Sequence, residues 1–338
     1  MTLLGIELSD AGIMVAGADP IRLLPIDGQE VESPAFALQE KKQLTVGREA
    51  ERKAHLYPRQ ILSRFWDQLN TEPLQQPNRF AENHAEIAYD HLARIWESIK
   101  GQGNEILIAV PGFFQREHLG LILGIARKLS IPVKGFVNIA VAASTNRPPE
   151  GFLLHLDIHL HRSEATHLKR EDFLTREDSL SAEESGIGQL YKVWANAMAE
   201  EFVRTTRFDP FHRAASEQEL YDRLPLVLNQ LQHKPTVIFE MTGGSKTYHV
   251  TLTRELFSQK SAPVFREIFR LIEQLLEKNK EDETVVVPQL SHRLARLPGF
   301  KEMLVSMNPG QIIELEPGAG AIGVLRFKDQ LFEETRGG

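Results

Sequence analysis

His155, Asp157, His159 and His161 occupy every second position of "GFLLHLDIHLHRSEATHL", residues 151–168. On a strand they share one face, with Leu154, Leu156, Ile158 and Leu160 on the other. Imidazoles and a carboxylate on one face suggest a metal site, and the spacing His159-x-His161 suits two ligands on one ion. At about 3.3 Å per residue, His155 would lie roughly 13 Å from His159. One ion therefore cannot use all four groups, and the sequence names no further ligand. The competing reading is a cleft-facing strand that happens to carry histidines.

Other motifs carry less. "TGGSK" at 242–246 has adjacent glycines between two strands, whereas a phosphate-cradling P-loop needs glycines five apart opening a helix. A hairpin tip is expected there. "GAGAIG" at 318–323 has no βαβ unit after it and no acidic residue at the distance a dinucleotide fingerprint requires. Close backbone packing, or approach to a ligand, explains its glycines. There is no G-x-S-x-G nucleophile elbow. With no cysteine in the chain, disulfides, thiolate metal sites and cysteine nucleophiles are excluded.

The elements that must position these residues follow from apolar patterning. "LLGIELSDAGIMVAGADPIRLLPI" reads as short strands broken at Ser9–Gly12 and at Asp19-Pro20, and "SPAFALQEKKQLTVG" as a hairpin tipped by Glu40-Lys41-Lys42. A short helix ends near Pro58, and residues 69–80 form a loop. Ile87, Leu92, Ile95, Trp96 and Ile99 give a helix stopped by Gly101. "EILIAVPGFFQREHLGLILGIARKLSIPVKGFVN" is a strand–helix–strand unit, and proline-rich "RPPEG" at 147–151 marks an internal boundary. Ser181 and Glu184 stand at capping-box spacing, so the next helix is predicted to start there, with Pro225 near the first turn of the one after it. "TVIFEMTGGSKTYHVTLT" is a hairpin turning at Gly243-Gly244, and Phe265, Ile268, Phe269, Ile272 and Leu276 stripe a long helix. "ETVVVPQL" is a buried strand, and "IIELEPGAGAIGVLRF" a strand leading into a glycine-rich turn.

The 338 residues suffice for two domains or one large two-lobed unit; 42% are apolar and 25% charged, with a formal charge of -7. That balance argues against a nucleic-acid-coating surface. The N-terminus lacks a signal-peptide pattern, and no apolar run reaches the roughly 18 residues of a membrane span. A cytoplasmic protein with no nucleic-acid or membrane partner is expected.

Two strand pairs, "GIELSDAGIMVAG" and "LLHLDIHLHRSEATHL", each place an acid (Glu7, Asp157) in an apolar strand before a tight polar turn, like two halves of a duplicated fold. Here the chain resembles the nucleotide-binding domain of DnaK-type, seventy-kilodalton heat-shock chaperones, collinearly from start to end. "GIELSDAGIMVAG" is similar to the first phosphate hairpin and "FLLHLDIHLHRSEATHL" stands at the second. "ESPAFALQEKKQLTVGREAERKAHLYP", "ILIAVPGFFQREHLGLILGIARKLSIPVKGFVNIAVAAS", "VTLTRELF" and "VVVPQLSHRLARLPGFKEML" match segments in order. The resemblance implies an α/β, actin-like ATPase fold. Two lobes, each on a ribonuclease-H-like mixed sheet, would enclose a cleft: residues 1–150 plus 318–338 as lobe I, 151–317 as lobe II.

It implies degenerate chemistry as well. Glu7, Ser9, Asp10 and Ala11 stand where the family has phosphate-binding aspartate, glycine and threonines, and the carboxylate of Asp10 would repel phosphate. Asp157 is kept, but Ile158-His159-Leu160-His161 replaces a glycine run whose backbone would approach phosphates. Ile139 replaces the glutamate beside the attacking water, Arg64 is the nearest stand-in for the catalytic lysine, and Pro111 matches the switch proline without its arginine. The adenosine loop keeps Ser291 and Arg293 but has lost its glycines, and "LPLVLNQL" lacks the adenine-clamp residues. The family's substrate-binding domain is not expected after "LRFKDQLFEETRGG".

The expectation is a DnaK-like, non-catalytic interaction module, a pseudo-ATPase with an unnamed protein partner and no cofactor; Glu7 and Asp157 would be remnants of a catalytic site. Asp10, Arg64, Asp157, His159, Ser291 and Arg293 would line the nucleotide cleft. Two alternatives stay open. One is an active member of the family that binds ATP or ADP with Mg²⁺ through an atypical pocket. The other is a metal enzyme using His159 and His161 on the His155–His161 strand.

Overall fold

The structure, a computed structural model, describes residues 2–76, 78–144, 150–170, 174–279 and 285–328. The expected boundary at 147–151 therefore lies partly outside the described residues. The protein is a mixed α/β chain.

In the first half the strands are β1 (Leu3–Leu8), β2 (Ile13–Ala18), β3 (Ile21–Leu23), β4 (Glu32–Ser33), β5 (Ala37–Gln39) and β6 (Leu44–Val46). Helix α1 (Arg48–Glu51), β7 (Ile61–Leu62), α2 (His84–Ile99), β8 (Glu105–Val110), α3 (Arg116–Lys128), β9 (Val133–Asn138) and α4 (Ile139–Ala143) follow. The second half has β10 (Phe152–Ile158), β11 (Arg162–Arg170), β12 (Leu174–Glu183), α5 (Ile187–Thr206), α6 (Ala214–His233), β13 (Thr236–Gly243), β14 (Lys246–Thr253) and α7 (Arg254–Asn279). It closes with β15 (Val286–Leu290), α8 (His292–Ala295), α9 (Phe300–Val305), β16 (Ile313–Glu314) and α10 (Ala319–Arg326).

Two sheets organise the chain, and their strand orders correspond. The first runs β3-β2-β1-β8-β9 with β4 beside β2; the second runs β12-β11-β10-β15-β16. In each, the first strand pairs antiparallel with the next and parallel with a later one. Strands β1 and β10 are buried along their whole length, as central strands covered on both faces must be. Each sheet has its own large apolar cluster, the first around Phe65, Trp66 and Ile95, the second around Trp194, Phe202 and Phe265.

Helix α4 links the two, with α10 packed against it on the first sheet. Ile139 and Ala142 pack with Ala321 and Val324 against the first sheet, while Ala140 packs with Leu153 and Val287 of the second. Small residues permit this closeness: a Cβ on Gly323 would meet Ala142 O at 1.7 Å.

Several local expectations are corrected. Ser181 and Glu183 belong to β12, and α5 starts only at Ile187 behind Gly186. Cross-strand pairing from Arg162↔Glu183 to Arg170↔Leu174 outweighs the capping-box signal. Pro225 lies inside α6, held there by the buried stripe Leu220, Leu224, Val227, Leu228 and Leu231. The stretch 318–323 opens a helix, with Gly318 as its left-handed N-cap at φ 68°. The β13–β14 pairing closes at Gly243↔Lys246, so the tip is Gly244-Ser245. Among the described residues no helix is long and apolar enough to cross a membrane.

Candidate functional site

The turns of the β1–β2 and β10–β11 hairpins meet. Asp10 Oδ1 accepts the backbone N–H of Leu160 at 2.8 Å, and Oδ2 accepts that of His161 at 3.1 Å. Ser9 Oγ lies 3.0 Å from His159 Nδ1. The other ring nitrogen of His159 faces Glu164 Oε2 at 3.4 Å and Asp157 Oδ2 at 3.8 Å. Asp10 and His159 are both 0% exposed. Desolvation works to lower the His159 pKa, but Asp157, Glu164 and Asp10 outweigh it and hold it at about 9. His159 is therefore an imidazolium at neutral pH: Nδ1–H donates to Ser9 Oγ and Nε2–H to Glu164. Phe113 packs edge-on against it at 5.2 Å, under the guanidinium of Arg162.

This revises the reading of the histidine face. Strand β10 ends at Ile158, so His159 and His161 belong to the turn and not to the strand. They diverge: His159 points to Ser9, and His161 Nε2 donates to Ser63 O at 3.0 Å. His155 stays in the strand, where its Nδ1 accepts from Gln289 Nε2 at 3.0 Å. Among the described residues no three His, Asp or Glu side chains are grouped to hold a metal ion. Asp10 is also more than a repulsive charge, because its carboxylate is the anion that the second turn binds.

Arg293 organises the neighbouring cluster. It is buried and ion-paired with Glu32, and Asp157 and Glu7 are its next anionic neighbours. Against its own desolvation, these three acids hold its pKa above the ordinary arginine range. Burial pushes the Glu7 carboxyl up, although Arg293 and a hydrogen bond from Gly320 N at 2.8 Å oppose it. Asp157 is desolvated too, yet His159, His155 and Arg293 hold it well below the usual carboxylate range, and Ser291 hydrogen-bonds it. Ser291 also caps α8 through Leu294 N at 3.4 Å. Glu7, Ile139, His155, Asp157 and Ser291 line one void of about 10 Å³, enough for a single water.

The structure thus brings Glu7, Asp10, Asp157, His159, Ser291 and Arg293 together. Arg64 is committed elsewhere, to Asp67 at 3.1 Å and to Glu184. Sequence reasoning missed Glu164 and Glu32. Glu164 lies opposite Asp157 in the register and also accepts Gly112 N at 3.2 Å. A side chain at Gly112 would run into it at 2.1 Å. Arg176 donates to Gly112 O at 3.0 Å, tying the Pro111 loop to the second sheet. The one signal for Glu164 was strand alternation with Thr166 after the turn.

Above the two turns lies a cavity of about 940 Å³. Ala11 and Leu160 belong to its lining, with Tyr191, Tyr221, Arg48 and Glu51 from surrounding elements. The N-terminus of α5 borders it but offers no free amide to a ligand there: Ile187 N donates to His159 O at 2.8 Å and Gly188 N to Leu160 O at 2.9 Å.

Ser9, His159 and Glu164 stand in the order of a nucleophile–base–orienter relay. The base already carries its proton at neutral pH, and the serine is 1% exposed. The arrangement joins the two turns across the sheets. No family model matches the chain, and no curated protein matches it significantly in sequence.

Proposed function

We propose that the chain is a DnaK-like, non-catalytic module of the actin-like ATPase fold: a cytoplasmic pseudo-ATPase that works by binding another protein. The corresponding strand orders of the two sheets and the meeting of their first hairpins support the two-lobed reading. One observation carries the loss of chemistry: between the hairpins, where the resemblance would put the phosphates, lie the side chains of Asp10 and His159, bonded to each other's turns. The void beside Asp157 holds only about 10 Å³, too little for a polyphosphate, and Ile139 supplies no carboxylate to orient water there.

The rival, an active ATPase, draws support from the 940 Å³ cavity, which is of ligand size. Calorimetry with MgATP at neutral pH, together with phosphate release under single-turnover conditions, separates the two. The proposal expects no saturable heat and no release. A low-micromolar dissociation constant, or turnover abolished by Asp157→Ala, would establish the rival.

A further inference from the structure

The contact between Asp10 and the second turn has the geometry of a receptor with its ligand. Two backbone N–H groups, from Leu160 and His161, converge on one carboxylate at 2.8 and 3.1 Å. The imidazole of His159 stands 4.0 Å from the same carboxylate. Successive amides aimed at one point, with a buried cation behind them, form an anion-binding concavity. Every part of it is buried or half-buried: Asp10, His159 and Leu160 are at most 8% exposed. The turn comes from the second sheet's first hairpin and the anion from the first sheet's, 150 residues apart.

We infer that the turn His159–His161 is an intact oxyanion receptor that the chain fills with its own Asp10 carboxylate, fixing the two hairpins in the closed relation that a bound anion would otherwise impose. Charge-assisted N–H bonds to a carboxylate are among the stronger hydrogen bonds, and an internal anion gives up no translational freedom when it binds. External anions are therefore excluded by occupancy, not by a loss of receptor groups. The relation between the two sheets then no longer depends on any ligand, which suits a module whose partner reads one constant shape. The inference deepens the proposed function and rests on its reading of the cleft. The two fail separately: wild-type protein binding MgATP would sink the proposed function, whereas the following test concerns Asp10 alone.

The probe is inorganic phosphate, titrated against chloride at constant ionic strength, with thermal unfolding of the full chain as the readout. Wild type is expected to show no phosphate-specific shift. Asp10→Gly and Asp10→Ser vacate the receptor, beside cavity-lining Ala11 and Leu160. They are expected to melt lower than wild type in chloride and to gain about 2 °C once phosphate stands tenfold above its dissociation constant. Asp10→Asn removes the charge but keeps the volume, so it is expected to be destabilised without a phosphate response. Adding His159→Gln to Asp10→Ser is expected to weaken phosphate binding at least tenfold. If Asp10→Gly is unfolded in chloride, recovery of a cooperative melt in phosphate is the same positive result. No phosphate-specific gain or recovery in either Asp10→Gly or Asp10→Ser overturns the inference. So does an equal gain in wild type.

Discussion

Ser9 Oγ and His159 Nδ1, 3.0 Å apart, join the tips of two hairpins separated by 150 residues of chain. Around that bond the site is a cross-sheet charge network: Asp10 clamps the second turn, His159 lies among Asp157, Glu164 and Asp10, and Arg293 reaches Glu32. Buried charges of this kind hold position only while each keeps its partners, which makes them directly testable.

His159 should control the alkaline side of stability. Its folded pKa of about 9 lies above its ordinary 6.5, so its stabilisation is complete below about pH 6.5 and is lost as pH rises through 9. Urea unfolding of wild type should show stability declining across that window. His159→Gln should be about 3–5 kcal/mol less stable at pH 7 and should lack the decline. An alkaline slope that survives in the variant would remove His159 as its source.

Arg293→Met leaves Glu32, Glu7 and Asp157 without their shared cation. A loss of about 3–5 kcal/mol is expected, since a buried acid stripped of its partner keeps the desolvation cost. Glu32→Gln in the same background should recover part of it, and a double-mutant cycle by chemical denaturation measures the coupling. Simple additivity would mean that the pair does not act as a unit.

His91 should contribute to acid sensitivity. Its Nδ1 accepts from Trp66 Nε1 at 3.0 Å and its Nε2–H donates to Ser33 Oγ at 2.9 Å, with Ser33 donating to Asp27. Burial lowers its pKa to about 4 despite Asp27, so protonation is easier in the unfolded chain and stability falls as pH drops from about 6.5 toward 4. His91→Gln can keep both hydrogen bonds without the titration. The acid limb should be shallower in that variant, with His292, lowered to about 3, supplying part of what remains.

Two glycines should respond in opposite directions. Gly323→Ala would drive a methyl into the α4 carbonyl of Ala142, and a cost of about 1–3 kcal/mol is expected. Gly120, in α3, has open space where an alanine methyl would stand, with no atom within 4 Å, so Gly120→Ala should gain about 0.5–1 kcal/mol from helix propensity. Thermal melts of the pair decide whether the α4–α10 approach is as tight as the backbone indicates.

Local patterning made much of the scaffold legible. The continuous apolar runs "LLGIEL" and "EILIAV" became buried strands, and the stripe Ile87, Leu92, Ile95, Ile99 became the inner face of α2 with Asn83 as its cap. Each of these depends on neighbours within a turn or two of chain, which a sequence displays directly. Where a local signal met a long-range one it lost. Ser181 looked like a helix cap, but pairing with β11 kept it in a strand; His159 looked like a strand residue, but the turn that reaches Asp10 took it out of β10.

The sequence by itself determined that Glu7 and Asp157 sit in apolar strands just before two polar turns, with Asp10 in the first of those turns. That follows from alternation and turn residues alone. Only the tertiary structure decided what they do there. Asp10 meets Leu160 across 150 residues and Arg293 meets Glu32 across 261, and no periodicity encodes such distances. A carboxylate read in isolation repels anions; the same carboxylate placed against two backbone amides and an imidazolium becomes the anion that is bound. Its sign was visible in the sequence, and its role depended on which groups the fold brought against it.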